Sequence, residues 1–132
     1  MIHLDTHVVV WLYAGEAGML SPAARVAIST NDLCISPAIL LELQYLLEIR
    51  RIAVGPDRIV HALDSSIGLV VDDMRFGDVV QNAIEQTWTR DPFDRLIVAS
   101  AALQNAPLLS KDATILRHYK QAFWSRAPEH TL

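Results

Sequence analysis

Short apolar runs recur along the chain and are separated by longer segments of helical period. Ile2-His3-Leu4, Leu33-Cys34-Ile35, Leu69-Val70-Val71 and Leu108-Leu109-Ser110 have the length and composition of buried strands. Gln121-Ala122-Phe123-Trp124 adds a candidate edge strand. Thr6 to Tyr13 reads as a helix, and Gly15 and Gly18 break the chain behind it. Ser21-Pro22 and Ser36-Pro37 are helix starts: the serine hydroxyl caps free backbone N–H groups, and proline sits where no N–H is needed. The second of these helices is predicted to run to about Arg51, with Gly55-Pro56 closing it. Further helices are expected from about Asp57 to Ser66, from Arg75 to Trp88, from Asp91-Pro92 to about Asn105 and from Ala113 to Tyr119. Such alternation predicts an α/β domain with a parallel sheet covered on both faces, because parallel strands need a helical crossover between them.

Four acidic residues break this pattern. Asp5 closes the first strand and precedes Val8-Val9-Val10-Trp11, and Asp112 follows Leu108-Leu109. Glu42 interrupts Ile39-Leu40-Leu41 and Leu43, with Ala38, Ile39, Tyr45 and Leu46 as its helical neighbours. Asp94 is followed by Leu96-Ile97-Val98-Ala99. A carboxylate in a core is costly unless it is paired or holds a metal. In an open parallel sheet, ligands bind beyond the carboxyl ends of the strands. Asp5 and Asp112 lie at such ends, and Glu42 and Asp94 lie in first turns of helices that start there. Helix capping is a competing explanation for Asp5 and Asp112, and it accounts well for Asp91, which precedes Pro92. It does not account for Glu42. Asp72 and Asp73, behind the third strand, read as solvated turn residues.

Composition narrows the chemistry. The chain has 132 residues, 52% of them apolar and 20% charged, enough for one packed domain over residues 1–132. A formal charge of −4 argues against a surface coated in basic residues for nucleic acid, but bound divalent cations reverse the sign locally at a carboxylate site. Cys34 is the only cysteine, which excludes an internal disulfide and fits a buried strand thiol in a reducing, cytoplasmic setting. No basic stretch precedes Asp5 as a signal peptide requires, and the longest apolar stretch, from Val8 to Gly15, is too short for a bilayer. His3, His7, His61, His118 and His130 show no HxxxH or HExxH spacing, which argues against zinc; His7 alone lies near the acids, in a supporting place. Trp11, Trp88 and Trp124 read as core or interface residues rather than base-stacking platforms. No glycine-rich phosphate loop or GxSxG motif is present.

Taken together, Leu4-Asp5-Thr6-His7-Val8, Leu41-Glu42-Leu43, Arg90-Asp91-Pro92-Phe93-Asp94-Arg95-Leu96-Ile97 and Ser110-Lys111-Asp112 resemble a PIN domain, and more narrowly the VapC-type toxins of bacterial type II toxin–antitoxin pairs. The resemblance implies a three-layer α/β/α sandwich with a short parallel sheet of four to five strands. It implies a metal site of Asp5, Glu42, Asp94 and Asp112, with Asp91 as a possible further ligand and Thr6 and Ser110 orienting carboxylates or water. It also implies a homodimeric endoribonuclease dependent on Mg²⁺ or Mn²⁺ and silenced by a cognate antitoxin protein. The tail after Asp112 is longer than the resemblance leads one to expect.

All-oxygen ligands favour Mg²⁺ or Mn²⁺ over zinc. Phosphodiester hydrolysis needs an activated water, neutralised phosphate charge and a stabilised leaving oxygen, which one or two such ions supply. On this reading Asp5 and Asp94 hold the principal ion, and Glu42 and Asp112 complete its shell or bind a second. Arg95 and Lys111 are candidates for meeting the RNA phosphate. The alternative function is a non-catalytic, PIN-like protein-binding module. A phosphatase of the haloacid-dehalogenase type also uses an aspartate after the first strand, but its second aspartate belongs where this chain has His7.

Overall fold

In the computed structural model of the chain, which describes residues 1–125, the strands are β1 (Ile2–Leu4), β2 (Leu33–Ile35), β3 (Val70–Val71), β4 (Leu108–Leu109) and β5 (Ala122–Phe123). The helices are α1 (Thr6–Ala14), α2 (Pro22–Thr30), α3 (Pro37–Glu48), α4 (Pro56–Ile67), α5 (Phe76–Glu85), α6 (Pro92–Leu103) and α7 (Ala113–His118). A 3₁₀ turn at Ala17–Met19 follows the glycine that ends α1. The strands form one parallel sheet in the order β3-β2-β1-β4-β5, flanked by the helices as an α/β/α sandwich. The edge strand β5 is present and pairs with β4. His130 lies outside the described residues.

Local chemistry explains the boundaries. Ser21 and Ser36 accept hydrogen bonds from Ala24 N (3.0 Å) and Ala38 N (3.1 Å), each with proline as the next residue. Helix α3 stops at Glu48, short of the predicted Arg51, because Arg50 takes left-handed backbone angles (φ 62°). Helix α5 spans less than the predicted Arg75 to Trp88. Its C-cap Gln86 leaves the helix, and its side chain accepts from Trp88 Nε1 at 2.8 Å. Trp88 then stacks on His118, with ring centroids 5.2 Å apart.

Leu4, Leu33, Ile35, Leu108 and Leu109 are fully shielded and form the centre of the main core, against Val8, Val9, Ile39, Leu43, Ile59, Ile97 and Ile115. Burying a residue of this size is worth about 1.5–3 kcal/mol. A smaller cluster of Val79, Ala83 and Ala99, with Met74 and Leu96 packed against it, joins α5 to α6. The short central strands β1 and β4 therefore have little freedom to move, and both end at the carboxylates.

Candidate functional site

Asp5 leaves the end of β1 and caps α1: one carboxylate oxygen accepts from Thr6 N at 2.8 Å and the other from Ser110 Oγ at 2.7 Å. Ser110 follows β4, the strand beside β1, so parallel pairing itself brings together two residues far apart in sequence. The same Ser110 hydroxyl oxygen accepts from Asp112 N at 3.1 Å, tying the start of α7 to Asp5. Thr6 is buried and its hydroxyl donates to Glu42 Oε1, linking α1 to α3. Thr6 and Ser110 thus each hold one carboxylate through a hydroxyl.

Asp91 caps α6, accepting from Phe93 N (2.8 Å) and Asp94 N (3.3 Å) through one oxygen. Asp112 caps α7 in the same way, from Thr114 N (2.8 Å) and Ile115 N (3.1 Å). Asp94 is half-buried and has no such donors of its own. Burial, and then the negative charges of Asp91, Asp5, Asp112 and Glu42, push its carboxyl up to about 7. Burial likewise raises Glu42 above the usual carboxylate range, against the Thr6 hydroxyl; Asp5 and Asp91 raise it further. Asp5 is raised chiefly by burial, which outweighs the Ser110 and Thr6 hydrogen bonds. The exposed His7 lowers both Asp5 and Glu42.

Four of these five carboxylates sit at helix N-termini or strand ends, where free N–H groups and the helix dipole favour negative charge. Glu42, in the second turn of α3, depends on Thr6. The five share one electrostatic neighbourhood, with their oxygens spaced more loosely than the ligands of a closed cage. Among the described residues, the group of three potential ligand side chains whose atoms approach within 4.8 Å is His3, Cys34 and Asp72. The all-oxygen, like-charged set fits a hard divalent cation, which would offset the repulsion that raises Asp94.

The flanking cations are partly committed. Arg95 Nε donates to Thr89 O at 2.9 Å, bracing the loop before α6, and Lys111 Nζ lies 5.8 Å from the Trp11 ring centroid. Trp11 in turn packs on Trp124 (5.8 Å between centroids), as the core or interface reading expects. A groove of about 520 Å³ is at the other pole, at the N-terminal ends of the strands; Ile2, Pro22, Val26, Pro107 and Phe123 help line it, and it holds none of the acids.

Asp72 departs from the sequence reading. It is half-buried rather than a solvated turn residue: Oδ1 accepts from Met74 N at 3.4 Å, while Oδ2 is shielded with no partner, and burial raises its pKa. No local motif announces this. The residue is half-hidden because the chain after β3 runs beside α5 and α6, where Asp72 borders one small cavity with Val79, Leu96 and Ser100.

A parallel sheet with acids from the carboxyl ends of its central strands and the first two turns of the neighbouring helices defines a class of α/β domains with an acidic rim. Within that class the chain belongs to the PIN domain family, whose model matches residues 2–121. Its fold is similar to that of a chain in a toxin–antitoxin complex from Klebsiella pneumoniae, with 15% identity, a TM-score of 0.65, and 96% of this chain and 99% of that one covered. It is also similar to a chain in the crystal structure of VapBC2 from Rickettsia felis bound to a DNA fragment from their promoter. There the identity is 20% and the TM-score 0.56, with 89% of this chain and 92% of that chain covered. At these identities the likeness is one of fold. No curated protein matches the chain in sequence.

Proposed function

We propose that the chain is the toxin of a toxin–antitoxin pair, an endoribonuclease that hydrolyses RNA phosphodiester bonds with Mg²⁺ or Mn²⁺ held by Asp5, Glu42, Asp94 and Asp112. The observation that carries this reading is the convergence at one rim of a PIN fold: Ser110 holds Asp5, Thr6 holds Glu42, and Asp94 senses the charge of all the others. The toxin assignment draws on the two solved neighbours, one described as a toxin–antitoxin complex and the other as VapBC2. It brings with it a cognate antitoxin as partner, a homodimer as the working assembly and the cytoplasm as the place of action. Among the described residues no helix is long and apolar enough to cross a membrane.

A divalent ion bound at these oxygens supplies a neutralising charge for the scissile phosphate and activates water. The chain's own residues do the positioning. Ser110 fixes the rotamer of Asp5 and, through Asp112 N, the start of α7. Thr6 turns Glu42 inward from α3. Asp91 anchors the first turn of α6 and adds negative charge beside Asp94, as a cap or a further ligand. Asp94 would meet such an ion as a carboxylate, against the burial and repulsion that raise its carboxyl to about 7. Arg95 keeps the Thr89 loop in place, and Lys111 presents an ammonium at the rim where an RNA phosphate approaches.

The test is incubation of the purified chain with an RNA panel, with and without Mg²⁺ or Mn²⁺, followed by sequencing of the ends produced. Metal-dependent cuts at defined sites, absent from Asp94→Asn, are expected. No cleavage by the folded protein at large enzyme excess would overturn the nuclease reading in favour of a PIN-like binding module.

A further inference from the structure

His3 lies two residues before Asp5 and belongs to a different cluster. His3 and Cys34 are register partners on β1 and β2, so their side chains leave the same face of the sheet. Cys34 pairs in turn with Val70 on β3, and Asp72, two positions further, returns to that face. An imidazole nitrogen, the thiol sulfur and a carboxylate oxygen of these residues all lie within 4.8 Å of one another. His3 and Cys34 are buried, and Asp72 is half-buried.

Several features distinguish this cluster from ordinary polar filling. His3 Nε2 pairs with Gln104 Oε1 at 2.9 Å, the kind of outer bond that fixes a metal-binding imidazole in one tautomer with its other nitrogen free. Met74 N orients one Asp72 oxygen, and the other is buried without a partner, a costly state for a carboxylate. Ser100 Oγ is also buried and unpartnered, and with Asp72 it lines a cavity of about 30 Å³. That volume has room for one water. A water alone satisfies Asp72 and Ser100, but it does not account for a thiol and an imidazole meeting the same carboxylate.

We propose that His3, Cys34 and Asp72 form a second metal site, for a zinc-class divalent ion, with a water in the Asp72–Ser100 cavity at the fourth position. One nitrogen, one sulfur and one oxygen donor select a borderline-soft ion of four-coordinate habit over Mg²⁺. The site joins three adjacent strands. Its structural effect is to fasten the two-residue edge strand β3 to β2 and to β1, the strand that carries Asp5. It uses none of the rim carboxylates and stands independently of the nuclease reading.

The experiment is a Co²⁺ titration of the full chain stripped of metal. Cys34 is the only cysteine, so any thiolate-to-cobalt charge-transfer band in the near ultraviolet reports this site alone. The band is expected to saturate at about one equivalent with the visible spectrum of four-coordinate cobalt. Zinc should abolish it, and excess Mg²⁺ should not. Asp94→Asn should retain it. Asp72→Asn should weaken Co²⁺ binding about 10–100-fold with an unchanged far-ultraviolet circular dichroism spectrum, and His3→Gln serves if Asp72→Asn fails to fold. Absence of the band in folded wild-type protein overturns the proposal. So does a band whose affinity is unchanged by both Asp72→Asn and His3→Gln, since it would then report the cysteine alone.

Discussion

Asp5 and His3 stand two residues apart on β1, yet the polar clusters they enter are assembled by opposite means. Asp5, Asp91 and Asp112 each accept backbone N–H groups of a helix that begins beside them, so their negative charge is supported locally. His3, Cys34 and Asp72 come together through strand register, with no helix start among them, and one Asp72 oxygen is left without any donor. Burial raises carboxyl pKa values in both places. At the rim, however, several acids share the strain, and Asp94 is raised by burial and by the charges of all the others. Helix termini let a fold hold clustered negative charge at a partly buried rim, whereas a buried set without such termini must be matched by its own chemistry.

The largest effect that separates the two clusters is on catalysis. Asp94→Asn should lower RNA cleavage by about a thousandfold or more, on the scale of losing a group that acts on charge developing in the transition state. Cys34→Ala should leave cleavage within about tenfold, as befits a strand fastening. Cleavage rates for both variants, with fold checked by circular dichroism, would break the comparison if the two losses were equal.

A smaller loss is expected where a rim carboxylate keeps its charge but loses its support. Ser110→Ala removes the 2.7 Å bond to Asp5 and the acceptor for Asp112 N. Cleavage should fall about 10–100-fold, and the Mg²⁺ dependence should move to higher concentration. An unchanged Mg²⁺ midpoint would mean that Ser110 serves packing only.

Stability provides a third discriminator. Mg²⁺ at about a hundred times its Kd should add about 2.7 kcal/mol to the folded state, read as a higher Tm. The gain should disappear in Asp94→Asn and persist in Cys34→Ala. An equal Tm rise in the Asp94→Asn variant would place the ion elsewhere.

The subtlest is pH. In ion-free protein the Asp94 carboxyl lies at about 7 against 3.8 for the ordinary group. An acid whose folded pKa is raised favours folding while protonated, so its contribution is fully present below pH 3.8 and is lost as pH rises to about 7. Asparagine has no such loss. The Tm of Asp94→Asn should therefore gain on wild type between these pH values and hold a constant advantage above them. Parallel Tm curves would show that the charges around Asp94 are better screened than its surroundings imply.

Much of the architecture is legible in the residues alone. Ser-Pro and Asp-Pro pairs place the starts of α2, α3 and α6, and the acids that interrupt apolar runs mark the rim. Glu42 is conspicuous because no cap explains it, and its partner in the fold is Thr6. Less legible are the ends of α3 and α5, which depend on a left-handed Arg50 and on a Gln86–Trp88 contact rather than on a breaker residue. Asp72 reads in sequence as a solvated turn residue, wrongly, because nothing adjacent to it reveals that residues of α5 and α6 lie beside it.

The amino-acid sequence by itself determined the order of strands and helices, the caps and the choice of acids, since these follow from periodicity and from hydrogen bonds between near neighbours. Tertiary structure alone decided which distant residues meet. Parallel register sets Ser110 against Asp5 and Cys34 against His3, and the folded chain buries an Asp72 oxygen without a partner. Such meetings are properties of the folded sheet, because strand pairing joins residues by position across the chain and leaves no mark on the residues between them.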